Sequence, residues 1–197
     1  MGTHGTASAV AAVPAPADRS WAYLSSGTWS LLGVGLRETL TTAAALAANY
    51  TNEGGLDGRI RFLKNIMGLW LIQECRHEWD RQGKTFTFDE MDAMATEAEP
   101  FRSLIDPNAD LFLPPGNMPD RIARFCRDTG QPIPETPGQI MRCALDSLAL
   151  RYRLALDDIA AITGQAIEVL HLVGGGSKNV ILNQFTANAA QRQIGRA

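Results

Sequence analysis

Residues 167–190 read IEVLHLVGGGSKNVILNQFTANAA, and this stretch restricts the fold more tightly than any other in the chain. A β-prone apolar run meets Gly174, Gly175 and Gly176, then Ser-Lys-Asn, then a helical pattern. Consecutive glycines open backbone conformations closed to other residues and let another group touch the main chain. A strand that passes through glycines into a helix N-terminus is a general nucleotide-binding arrangement. Two specific forms of it do not fit. A P-loop needs glycine before its lysine and Ser or Thr after it, whereas Lys178 stands between Ser177 and Asn179. A dinucleotide fingerprint needs a glycine where Asn179 stands, and an acidic residue about twenty positions on, beyond Ala197. A tight strand-to-helix turn without a ligand would use the same residues.

The other elements predict an α/β domain. Trp21–Ser26 and Trp29–Val34 are β-prone and flank Gly27-Thr28, the pattern of a hairpin or a tight strand connection. Thr6–Val13 is alanine-rich and predicts a short helix stopped by Pro14 and Pro16. Ala43–Ala48 is helical in composition, and NYTNEGGLDGR reads as a short strand and a glycine loop. Ile60–Trp79 reads as the strongest helix. Ile60, Leu63, Met67, Trp70, Leu71 and Cys75 hold helical spacing while Phe62, Ile66, Leu69 and Ile72 fill other faces, so it is expected in the interior. Asp89–Glu97 and Asp120–Thr129 predict shorter helices, separated by the Pro-rich IDPNADLFLPPGNMP. Pro137 opens a helix that runs to about Thr163 and stops at Gly164. Its core stripe is Met141, Leu145, Leu148, Tyr152, Leu156 and Ile159. No repeat, low-complexity linker or domain boundary is evident. The sequence stops at RQIGRA just after the last helix, where another strand would normally follow, and so reads as part of a larger protein.

Composition narrows the partners. Of 197 residues, 45% are hydrophobic and 20% charged, enough for a sizeable core, and a net charge of −3 argues against a broad grip on nucleic acid. Arg121, Arg124 and Arg127 cluster, but Asp120 and Asp128 interleave with them and predict a solvated helix face. Cys75, Cys126 and Cys143 lack C-x-x-C spacing, which predicts buried thiols in a reducing cytoplasm rather than disulfides or structural zinc. His4, His77 and His171 lie far apart without an H-E-x-x-H, so a metal cage is not expected. No apolar run approaches the roughly 18–20 residues of a membrane span. The first twenty residues lack the basic region of a signal peptide.

HLVGGGSKNVILNQFTANAA resembles the adenosine-binding loop in the second domain of the FGGY carbohydrate kinases, members of the actin-like ATPase (ribonuclease H-like) superfamily. AYLSSGTWSLLGV, TNEGGLDGRIRFLKNIMGLWLIQECR, PFRSLIDPNADLFLPPGNMPDRI and CALDSLALRY look like the second half of the rhamnulokinase branch. The similarity runs from about Thr3 to Asn188. The fold it implies is the second domain of an FGGY sugar kinase, incomplete at both ends. Residues 1–20 are then its N-terminal edge, 21–191 the nucleotide-binding domain and 192–197 a divergent tail. The implied reaction is transfer of the γ-phosphoryl of ATP to the 1-hydroxyl of L-rhamnulose, in a cleft between two actin-like domains. ATP and Mg2+ are implied, the metal held mainly by the nucleotide and the first domain. The implied partners are a sugar, an adenine nucleotide and that N-terminal kinase domain, with neither nucleic acid nor membrane.

The resemblance also carries residues. Thr28 in SSGTW matches a threonine near the ATP phosphates, and its hydroxyl suits a phosphate oxygen. Asn65 in LKNIM matches a sugar contact, since an amide donates to and accepts from a hydroxyl. Gln73 in WLIQE matches an ATP contact on what reads as the same helix. Gly175 matches an ATP contact, and Gly174 and Gly176 share its geometric reason, letting adenine or ribose lie on bare backbone. By residue type alone each has a plainer reading: a turn threonine, a satisfied helical Asn, an exposed Gln. His4 and Thr6 match sugar-side positions of a His-Asp-Thr triplet whose Asp is the general base; here Gly5 stands between them. Glycine accepts no proton, and a positioned base contributes about 10²–10⁴-fold. No catalytic residue is then intact, and this chain alone is expected to be inactive. A non-catalytic nucleotide-binding module and an inert gene fragment are the alternatives.

Overall fold

The computed structural model describes residues 10, 13, 19–56 and 58–196. His4, Gly5 and Thr6 lie outside the described residues, as does most of the helix expected over Thr6–Val13.

Trp21–Ser25 (β1) and Trp29–Leu36 (β2) form the expected antiparallel hairpin, closed by Ser26, Gly27 and Thr28. Ala43–Ala47 (α1) follows, with Thr42 accepting the Ala45 N–H as its cap. Thr51–Gly54 (β3) is the short strand expected before the glycine loop.

The single helix expected over Ile60–Trp79 is not what forms. Ile60–Met67 is a strand (β4), and the helix begins at Trp70 and runs to Arg81 (α2). β4 lies between β2 and β3, antiparallel to both, and every residue but Ile60 and Asn65 is buried. A strand covered on both faces carries a continuous apolar run, which periodicity cannot tell from a buried helix. Pairing decides it, because the flanking strands satisfy the backbone N–H and C=O groups of β4 on both sides. Even its polar members are used. Lys64 lies 5.3 Å above the Tyr50 ring and 3.6 Å from Asp158, and Arg61 reaches Glu53 at 2.8 Å. Gly68 then lets the chain turn: a Cβ there would collide with Ser30 Oγ and approach the Gly27 carbonyl to 2.7 Å.

Phe88–Glu97 (α3), Met118–Asp128 (α4) and Pro137–Thr163 (α5) match the expected helices within two residues at each end. Thr136 and Gln139 make a capping box at the start of α5, with Pro137 at its first position, and Gly164 at φ 71° ends it. Val169–Val173 (β5) leads through the glycines, a short 3-10 turn over Gly175–Lys178, into Val180–Ala190 (α6). Gln193–Arg196 (β6) pairs parallel with β5, so the segment read as a divergent tail contains a strand that the sequence reading did not assign to it.

The sheet order is β3-β4-β2-β1-β5-β6. Ala22, Leu24, Leu32, Val34, Phe62, Leu170 and Leu172 supply one face of the core. Met141, Leu145, Leu148, Tyr152, Leu156 and Ile159 of α5, each at most 1% exposed, supply the other as the sequence stripe predicts. Burial of each such side chain stabilises by about 1.5–3 kcal/mol. Among the described residues no helix is long and apolar enough to cross a membrane.

Register positions the site. Ser25 at the end of β1 stands beside Val173 at the end of β5, and Met67 at the end of β4 stands beside Trp29. The three segments that follow these ends therefore gather at one edge of the sheet.

Candidate functional site

Those segments are Ser26–Thr28, Gly68–Gln73 and Gly174–Asn179, and backbone hydrogen bonds hold them together. Ser26 N–H donates to the Val173 carbonyl, and Gly176 N–H to the Ser26 carbonyl, both at 2.9 Å. Leu69 N–H donates to the Gly27 carbonyl at 2.9 Å, and Gly68 and Trp70 N–H to that of Thr28 at 3.1 Å. Behind the hairpin turn, Ser30 Oγ and the Tyr152 hydroxyl of α5 share a buried 2.7 Å hydrogen bond. Burial pushes the Tyr152 phenol up to about 12, so it stays protonated and available as that partner.

The three glycines have two different reasons. Gly174 has φ +83°, and a Cβ on it would lie 2.7 Å from the Ser26 carbonyl. At Gly176 a Cβ would collide with Ser26 Oγ and approach Leu69 to 3.1 Å. Both must be bare because the hairpin turn packs on them, a reason that the sequence reading did not include. At Gly175 a Cβ would meet nothing within 4 Å. Its open side borders a cavity of about 510 Å³, within the roughly 300–1,000 Å³ usual for small-molecule sites.

Gly27, Thr28 and Gln73 line this cavity at one part, Leu69 and Ile72 form apolar wall, and Gly175, Gly176 and Lys178 contribute from the glycine turn. Phe88, Asp89 and Asp92 of α3 and Asn179 complete it. Thr28 Oγ1 donates to Gln73 Oε1 at 3.1 Å, so Gln73 is half-buried and engaged rather than an idle surface amide. Asn179 caps α6, its Oδ1 accepting the Leu182 N–H at 2.7 Å, and its Nδ2 donates to Asp92 Oδ1 at 3.4 Å. Burial pushes the Asp92 carboxyl above its ordinary value and the Asp89 charge adds to it, against the pull of that hydrogen bond. The Arg76 guanidinium stacks on Phe88 with its carbon 4.6 Å from the ring centre.

The chain as a whole is similar to known proteins. The C-terminal domain of the FGGY family of carbohydrate kinases matches residues 22–197. The chain belongs to that family. Rhamnulokinase of Bacteroides thetaiotaomicron is 55% identical over 186 residues, covering 94% of this chain and 37% of that protein. Rhamnulokinase of Bacillus subtilis is 43% identical over 194 residues, covering 98% of this chain and 39% of that protein. The chain thus spans about two-fifths of the length of these relatives. Among solved structures, xylulose kinase from Rhodospirillum rubrum superimposes with a TM-score of 0.68 at 18% identity, over 96% of this chain and 36% of that one. At that identity the likeness shows the fold alone: a mixed α/β sheet domain of FGGY sugar kinases.

Within this FGGY domain the residues singled out from sequence separate. Thr28, Gln73, Gly175 and Gly176 come together in the cavity, and Gly174 stands just behind it as the turn's hinge. Asn65 is exposed on β4, not on a helix shared with Gln73, and does not line the cavity. Lys178, Asn179, Phe88 and Asp92 were not singled out. Asn179 carried a readable signal, since Asn before a helical run is a preferred cap. Asp92 carried none, standing 87 residues from its partner Asn179. Among the described residues no group of three or more His, Cys, Asp or Glu is arranged to hold a metal.

Proposed function

We propose that this chain is the nucleotide-holding half of an ATP-dependent sugar kinase that converts L-rhamnulose to L-rhamnulose 1-phosphate. The sugar is taken from the likeness to rhamnulokinases at 43–55% identity. The observation that carries the nucleotide side is the open main chain of Gly175, set in a cavity between Thr28 and Asn179. Thr28 and Gln73 hold phosphate oxygens, Lys178 offers positive charge, and the bare glycine face with Leu69 and Ile72 accommodates ribose and base. Bound ATP supplies the transferable phosphoryl group, and phosphoryl transfer asks the protein chiefly for positioning and charge stabilisation. His4, Thr6 and Asn65 are the sugar-side positions. The three cysteines are free and buried, which suits work in the cytoplasm.

Gly5 favours a second statement about the chain by itself: it binds adenine nucleotide without phosphorylating sugar. Calorimetry on the purified chain should give a binding isotherm with ADP at millimolar concentrations, and an ATP-coupled assay should give no turnover of L-rhamnulose. Absence of any ADP heat would overturn the nucleotide reading. Turnover above a mock preparation would overturn the inactivity. In a protein that also carries the first kinase domain, Gly5→Asp should raise kcat by about 10²–10⁴-fold.

A further inference from the structure

Three hydroxyls lie buried beneath the hairpin turn, and the proposed function gives them no task. Ser26 opens the turn, Ser30 follows it on β2, and Tyr152 reaches it from the middle of α5. All three residues are at most 2% exposed. Ser30 Oγ and the Tyr152 hydroxyl share their 2.7 Å hydrogen bond across 122 residues of sequence, while Ser26 Oγ has no partner among the described residues. The two serines fill the room beside two glycines of the site. A Cβ on Gly68 would collide with Ser30 Oγ, and one on Gly176 with Ser26 Oγ. Apolar groups of the same shape would fill that room without the cost of desolvating a hydroxyl. What a paired buried hydroxyl adds is one fixed arrangement of the elements it joins.

We infer that Ser30 and Tyr152 are positioning residues: their hydrogen bond sets where Thr28 stands in the cavity, and so acts through Thr28 on the phosphate end of a bound nucleotide. This rests on the proposal that the cavity takes a nucleotide whose phosphate oxygens Thr28 holds. From its other side the turn is held by α2 and the residues leading into it. Leu69 N–H donates to the Gly27 carbonyl, Gly68 and Trp70 N–H donate to that of Thr28, and Thr28 Oγ1 donates to Gln73. Leu69 and Gln73 themselves line the cavity, so these bonds fix Thr28 relative to one wall and not to the core. Among the described residues, the Ser30–Tyr152 bond is the one side-chain hydrogen bond that ties β2 beside the turn to α5. Tyr152 is a fixed point for that purpose. Leu145, Leu148, Leu156 and Ile159, one or two turns to either side of it, are each at most 1% exposed in the core, and close-packed interior side chains keep their rotamers.

The test is calorimetry on the 197-residue chain with ADP and with adenosine, which carries no phosphate for Thr28 to hold. In Tyr152→Phe, which keeps the ring, ADP affinity should fall roughly three- to tenfold, the range for one neutral hydrogen bond, while adenosine affinity stays within about twofold. Ser30→Ala should give the same pattern and serves alone if Tyr152→Phe folds poorly. The double variant should lose no more than either single one, because both remove the same bond. In a Thr28→Ala background the loss on Tyr152→Phe should disappear, and this comparison decides if adenosine binds too weakly to measure. Equal losses of ADP and adenosine affinity overturn the inference, since the pair would then only support the cavity. So does ADP affinity unchanged in both single variants, or a loss that persists undiminished without Thr28. Each of these leaves the nucleotide reading intact, whereas failure of the unaltered chain to bind ADP overturns that reading and this inference together.

Discussion

Glu74 on α2 and Asp92 on α3 are carboxylates on neighbouring helices, bridged by the Arg76–Phe88 stack, and the fold uses them in opposite ways. Glu74 is 4% exposed and fully engaged: it accepts the Gly116 N–H at 2.7 Å and meets His77 Nδ1 at 2.9 Å. One turn on, Glu78 accepts the Asn117 N–H at 3.2 Å and takes Arg81 at 2.6 Å. The two tether the Pro-rich turn before α4 to the side of α2 that faces away from the cavity. On the cavity side, Asp92 has one long contact, and a Cβ on Gly175 would meet nothing within 4 Å. Glu74 and Glu78, each with several partners, hold the turn to α2, whereas Asp92 borders the cavity with a single long contact.

The contrast breaks most visibly at the glycines. Gly174→Ala places a side chain at φ +83° and against the Ser26 carbonyl, and should cost about 3 kcal/mol. That is roughly 6–12 °C in melting temperature for a domain of this size. A melting temperature unchanged by this substitution would show that the hairpin turn does not pack on the loop. Next in size, Glu74→Ala strands the Gly116 N–H and should cost about 2–3 kcal/mol by chemical denaturation. Asp92→Ala should change stability by less than about 0.5 kcal/mol. Equal losses at Glu74 and Asp92 would erase the distinction between the two sides of α2.

Acid titration sharpens the same contrast. Burial of Glu74 raises its carboxyl, but the Gly116 and His77 hydrogen bonds and nearby positive charge outweigh this, and the net shift is downward. Glu78 is also lowered, chiefly by the Arg81 hydrogen bond. A lowered folded-state value means stability fully present above the unfolded value of about 4.3 and lost as pH falls through the folded one. Asp92 is shifted the other way, so its charged form opposes folding near neutrality and that penalty fades as pH falls through its raised value. Melting curves from pH 3 to 7 should therefore show Glu74→Gln flattening the acid limb. Asp92→Asn should give a small gain at pH 7 that disappears at pH 3, the smallest of these effects.

How much of this was legible beforehand depends on whether the signal was local. The hairpin at Gly27-Thr28, the start of α5 at Pro137 and its stop at Gly164 were readable because each lies within a few residues of what it determines. β4 was not. Its partners β2 and β3 flank it on both sides, and burial of both faces erased the alternation that distinguishes a strand. β6, four residues long, owes its existence to the edge of β5. In the site, Thr28, Gln73 and Gly175 were legible through resemblance to a family. The separate reasons for Gly174 and Gly175 required knowing that Ser26 packs on one and leaves the other open. Asp92 enters only because the α3–α6 contact brings it to Asn179.

The proposed function depends above all on a nucleotide lying against the bare main chain of Gly175. Titrating ADP into the unaltered chain and into Gly175→Val, with melting temperatures of both, tests it directly. The side chain enters open space, so the account predicts an unchanged melting temperature and at least a tenfold loss of ADP affinity, taking about 1.4 kcal/mol as tenfold. Gly175→Val that is equally stable and binds ADP as tightly as the unaltered chain would contradict it.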